Sequence, residues 1–88
     1  MDILYFDNAA TTWPKPPEIL KAMIRYQEEV GGSPGRSAHR LSIEAARIVY
    51  DTRAAAAELF GIDDPFRIAF TKNATEGLNI VIKGLLKP

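Results

Sequence analysis

Eighty-eight residues, 47% apolar and 25% charged, suffice for one small folded domain with a marginal core and argue against disorder. Lysine plus arginine and aspartate plus glutamate number 11 each, so no global field draws in nucleic acid or an anionic membrane, and any anion site must be local. There is no cysteine and a single histidine, His39, which excludes disulfides, thiolate metal sites and a cysteine nucleophile within these residues.

In chain order, the opening "MDILYFDNAATTW" has an acid at position 2 and no long apolar run, so it resembles neither a signal peptide nor a membrane span, and a cytosolic address is the expectation. "ILYF" is a short apolar segment and a second strand candidate. The polar run "DNAATT" and the stiff "WPKPP" follow it as extended or irregular chain. Pro16 and Pro17 suit a first helical turn and Glu18 its positive dipole end, while Ile19, Met23, Tyr26 and Val30 recur at helical spacing. This predicts a helix from Pro17 to Val30, ended by Gly31 and Gly32. "GGSPGRSA" reads as a flexible or ligand-facing loop.

Leu41, Ala45, Ile48, Thr52, Ala55 and Leu59 predict one apolar stripe on a helix from Ser37 or His39 to Phe60, reinforced by the alanine run and stopped by Gly61. "DDP" signals a turn and "FRIAFT" a strand over Arg67–Thr71. Leu78, Val81, Ile82 and Leu85 mark a third helix over Ala74–Leu86. One clear strand, apolar on both faces, needs neighbours that this chain barely supplies. The sequence therefore reads as the first part of a larger α/β protein, or as a domain completed by another chain.

The junction "FTKNATEGLN" carries the chemistry. Asn73 is a good N-cap and Glu76, three positions on, completes a variant capping box, which by itself explains both residues. A strand followed by a helix start is also where open α/β sheets gather anionic ligands, on free N–H groups and the positive dipole end. Thr71 or Thr75 has a hydroxyl to add, and Ala74 is small enough for close approach. Capping and phosphate binding are compatible, because a helix start has several orphan donors. "GGSPGRS" lacks the lysine and spacing of a P-loop, and no GxGxxG occurs.

"YFDNAATTWPKP", "GGSPGRSAHRLS" and "FTKNATEGLNIV", in this order and separation, resemble the N-terminal signatures of the class V aminotransferase group, in particular the cysteine desulfurases and selenocysteine lyases. The resemblance covers nearly all 88 residues. It implies the N-terminal segment of a pyridoxal 5'-phosphate enzyme with the large aspartate-aminotransferase-like α/β fold, here three helices and one or two short strands without an internal domain boundary. Homodimers with active sites between subunits are the family pattern.

By the same resemblance Ala74 and Thr75 bind the cofactor phosphate, with Asn73 standing where glycine is frequent in relatives. Asn8, Ala9 and Ala10 lie on the strip near the substrate mouth, although small residues there equally serve close packing. Arg36 and His39 sit on the loop that reaches the partner subunit's active site; a plain surface arginine and a capping or packing histidine are the alternatives. The cofactor-bearing lysine, the aspartate paired with the pyridine nitrogen and the ring-stacking histidine belong to a later segment, and the desulfurase's cysteine is absent here. The resemblance thus implies sulfur removal from L-cysteine, giving alanine and an enzyme persulfide, with a sulfur-acceptor protein as partner; this chain alone is expected to be inactive. A selenocysteine lyase or class V transaminase shares the motifs. A truncated, non-catalytic helical module that binds a partner through apolar surface is the alternative of another kind.

Overall fold

The computed structural model describes residues 2–35 and 39–86. Two compact units divide it, Met1–Arg47 and Ile48–Pro88. Three α-helices follow in order: α1 over Pro17–Arg25, α2 over Arg40–Leu59 and α3 over Ala74–Gly84. The division falls within α2.

In the first unit α1 begins on proline, which forgoes an N–H that a first turn leaves unbonded anyway, and Glu18 faces the positive dipole end. Its predicted last turn exists but widens into a π-helical turn over Tyr26–Val30, closed by the Gly31 N–H on the Tyr26 carbonyl at 2.7 Å. Gly31 stops it in the left-handed region, at φ 60°. Of the loop read as flexible or ligand-facing, residues 36–38 lie outside the described residues, and its start is tied down: Tyr26 Oη donates to the Gly32 carbonyl at 2.8 Å, and the fully buried Ser42 donates through Oγ to the Ser33 carbonyl at 2.5 Å. Gly32 lies so close to α2 that a Cβ there would stand 2.6 Å from the Leu41 carbonyl carbon. The backbone of Gly32 and Ser33 therefore packs on the first turn of α2.

The start of α2 is capped by His39, whose Nδ1 accepts the Ser42 N–H at 3.2 Å. Its buried positions depart from the predicted stripe. Ala45 and Ala57 are buried, whereas Thr52, Ala55 and Leu59 are exposed and Arg53 and Ala54 are partly covered in their place. An alanine-rich helix presents similar small apolar surface on more than one face, so periodicity alone does not choose between them.

In the second unit Gly61, at φ 67°, ends α2 as expected. "DDP" turns: Asp64 Oδ1 accepts the Phe66 N–H at 2.9 Å and caps a 3-10 turn over Pro65–Arg67. The strand expected over Arg67–Thr71 is corrected here. Arg67 belongs to that turn, Ile68 is extended, and residues 68–71 pair with no neighbour; "ILYF" likewise forms no strand, and there is none among the described residues. A strand is defined by its ladder, and without a second extended segment alongside there is nothing to bond to.

Few side chains are hidden. Val30, Ala45 and Ala57 are the buried apolar residues among those described, while Ile19, Leu20 and Met23 on α1, Leu78, Val81 and Ile82 on α3, and Leu85 just after it face solvent. Apart from Val30 at the end of the first, the apolar stripes of α1 and α3 are not buried among the described residues.

Candidate anion site

The first turn of α3 is where the sequence places its anion binder. Asn73 is extended, at φ −164° and ψ 175°, and its Oδ1 accepts the Glu76 N–H at 2.9 Å. The Gly77 N–H reaches back to the Asn73 carbonyl at 3.2 Å. Two first-turn donors remain, the N–H groups of Ala74 and Thr75, which have no intrahelical acceptor by the geometry of a helix start. Both residues are exposed. The two amides, the positive dipole end and the methyl-sized Ala74 side chain form a donor set suited to a phosphate oxygen.

The surroundings are tied down by side chains. Thr71 Oγ1 donates to the Asn73 carbonyl at 3.0 Å, so its proton serves the turn and is not offered to a ligand, as the sequence had allowed. The Thr71 side chain lies beside Gly77, where a Cβ would make ordinary contact, 3.5 Å from Oγ1. One turn on, Asn79 Nδ2 donates to the Thr75 carbonyl at 2.8 Å. The capping box is half formed: the Glu76 carboxylate pairs with Lys72 Nζ at 3.5 Å instead of returning to the Asn73 N–H. Both groups are solvated, so this pair is worth only about 0.3–0.5 kcal/mol.

Asn8, Ala9 and Ala10 form an exposed turn, with the Ala10 N–H on the Asp7 carbonyl at 3.1 Å. Asn8 Oδ1 accepts the Trp13 N–H at 3.2 Å, which gives that side chain a local structural task. Tyr5 Oη braces the same turn on the Thr11 carbonyl at 2.7 Å. His39 is exposed and its Nδ1 serves as the α2 cap described above; Arg36 lies outside the described residues. Asn8, Ala9, Ala10 and His39 fall in the first unit, Ala74 and Thr75 in the second.

Sequence reasoning did not single out Arg53 and Phe70. The Arg53 guanidinium carbon lies 5.1 Å from the centroid of the Phe70 ring, and Arg53 Nε is buried without a hydrogen-bond partner. An arginine within an alanine-rich helix and a phenylalanine in a β-prone run carry no local signal of such a pairing.

The family model for Aminotransferase class-V matches residues 4–88. The chain is 36% identical over 77 residues to a probable cysteine desulfurase of Treponema pallidum (strain Nichols), covering 88% of this chain and 19% of that relative. It is 39% identical over 84 residues to the cysteine desulfurase IscS of Rickettsia akari (strain Hartford), covering 96% of this chain and 20% of the relative. A probable cysteine desulfurase of Synechocystis sp. (strain ATCC 27184 / PCC 6803 / Kazusa) is 35% identical over 79 residues, 90% of this chain and 19% of its own length. The chain thus spans about a fifth of the length of these curated relatives. No solved structure matches it significantly. Three motifs in register and a match over nearly the whole length agree: the chain belongs to the class V aminotransferase family.

Proposed function

We propose that these residues are the N-terminal part of a pyridoxal-phosphate-dependent, cysteine-desulfurase-like enzyme, and that α3 anchors the cofactor phosphate. The observation that carries this reading is the pair of unengaged amides, Ala74 and Thr75, left when Asn73 caps the Glu76 N–H. The Thr75 hydroxyl, on an exposed side chain, supplies a third donor. When bound, the cofactor supplies an electron sink for bond breaking at the α-carbon of an amino-acid substrate. The part of this chain is to bind and orient: the helix start holds the phosphate and thereby fixes where the ring lies.

The turn at Asn8, Ala9 and Ala10 lines the substrate mouth in this reading, and Arg36 and His39 face a partner subunit of a homodimer. The substrate is L-cysteine, the sulfur goes to an acceptor protein, and the setting is cytosolic; selenocysteine or another amino acid is the alternative substrate. The chain alone is inactive, since it has no cysteine to take up sulfur and its lysines lie outside the motif that would hold the cofactor covalently.

The test is a titration of the chain with pyridoxal 5'-phosphate and with inorganic phosphate. Weak phosphate binding is expected, reduced several-fold in Thr75→Ala, with no covalent cofactor adduct. Binding unchanged in that variant removes the anchor assignment, and a borohydride-trapped adduct at one specific lysine removes the inactivity assignment.

A second reading, a helical interaction module, draws on the solvent-facing Leu20 and Met23 of α1 and Leu85 at the end of α3, which are 62, 63 and 76% exposed. It predicts a defined oligomer without affinity for either probe.

A further inference from the structure

We propose that Arg53 is a positioning residue for the anion anchor, acting through the ring of Phe70. The inference rests on the anchor reading above and adds to it the part of α2 that holds the anchor in place.

The segment between α2 and α3 is short of backbone support. After the Ile68 N–H bonds the Pro65 carbonyl, residues 69–72 make no backbone–backbone hydrogen bond among the described residues. Side chains hold it at its two ends. Tyr50 meets Phe66 with ring centroids 6.0 Å apart, and Arg53, three residues along the same face of α2, lies over Phe70 at 5.1 Å.

Packing alone does not favour an arginine at this place. A buried Nε without an acceptor costs stability, and a methionine would fill similar space without that penalty. What the guanidinium gains is the negative face of the Phe70 ring, an attraction with a defined geometry. From Phe70 the constraint passes along the chain: Thr71 is fixed by its hydrogen bond to the Asn73 carbonyl, and Asn73 fixes the first turn of α3. A ring free to swing at position 70 loosens Thr71, then the cap, then the direction of the Ala74 and Thr75 amides.

The experiment measures inorganic phosphate affinity by calorimetry or 31P NMR for the chain and for Arg53→Met, Arg53→Lys, Phe70→Leu, the Met/Leu double variant and Thr75→Ala, with hydrogen exchange read at the Glu76 amide. Arg53→Met and Phe70→Leu are each expected to weaken binding roughly two- to fivefold and to speed Glu76 exchange, with Arg53→Lys keeping most of the affinity. The double variant is expected to lose no more than either single one, because both act through one contact. Full affinity in Arg53→Met beside a loss in Thr75→Ala overturns this inference and leaves the anchor standing. Losses that multiply in the double variant overturn it too. If the unaltered chain takes up no phosphate, the anchor reading itself fails and the inference goes with it. Should Arg53→Met not fold, Phe70→Leu decides alone, unchanged affinity counting against the proposal.

Discussion

Replacing Ala74 by proline separates a helix start that merely ends well from one that binds. Ala74 is the first residue of α3, where proline is tolerated because the missing N–H has no intrahelical partner. Asn73 before it is already extended, at φ −164° and ψ 175°, outside the α region that a following proline disfavours. The helix should therefore persist, and fixing φ in the unfolded chain should add about 0.4–1 kcal/mol of stability. One of the two free amides is meanwhile deleted. A hydrogen bond to a charged group is worth about 1.5–3 kcal/mol, and at an exposed helix start the lower end applies. Since about 1.4 kcal/mol is a factor of ten, phosphate affinity should fall roughly tenfold. Far-UV circular dichroism with thermal unfolding reads the first effect and a phosphate titration the second. The two are expected to move in opposite directions. An Ala74→Pro chain that keeps its helix and binds phosphate as before refutes the assignment of that amide to the ligand.

Asn73→Asp should keep the cap on the Glu76 amide while placing a carboxylate on the residue just before the two free amides, so helix stability holds or rises and phosphate affinity drops, most strongly at low salt; Asn73→Ala should instead cost about 1 kcal/mol of stability. Gly32→Ala drives a Cβ to 2.6 Å from the Leu41 carbonyl carbon and 2.9 Å from the Ser42 nitrogen, both backbone, and is expected to destabilise the first unit by about 1–3 kcal/mol in denaturant unfolding. His39→Ala removes the acceptor of the Ser42 N–H and should cost about 1 kcal/mol, recovered in His39→Asp; recovery of stability without any change in phosphate affinity identifies the side chain as a cap.

The helices were legible because their signals are local. Pro17 with Glu18, Gly31, Gly61 and the Asn73 cap each act within a turn of their own position, and the structure puts helix boundaries beside all of them. The strand was not legible in the same way. "FRIAF" has the residues of a strand, but strand formation is a property of two segments, and residues 68–71 have no partner among those described. The buried face of α2 failed for a related reason, since alanines on several sides leave the choice to whatever packs against them. His39 was weighed as a cap or packing residue on position alone. That its Nδ1 would take the Ser42 amide follows from the ring lying within reach at 3.2 Å, which residue type does not dictate. The grip of Arg53 on Phe70, across 17 positions of sequence, has no local signature at all.

The sequence made helix capping and anion binding compatible at one junction, and the geometry of the cap bears on whether the proposed anchor has donors to use. An N-cap side chain accepts from either the second or the third residue of the helix. Had Asn73 taken the second, it would have consumed the Thr75 N–H and turned its own oxygen, a centre of negative charge, toward the place where an anion must sit. It takes the third, Glu76, at 2.9 Å. The cap thereby orders the first turn and aligns its dipole while leaving the two outermost amides, Ala74 and Thr75, unspent. Glycine at position 73 would leave those amides equally free but would supply no side-chain acceptor for Glu76. If α3 is the phosphate anchor proposed above, asparagine at 73 adds order to the turn without consuming the Ala74 and Thr75 donors.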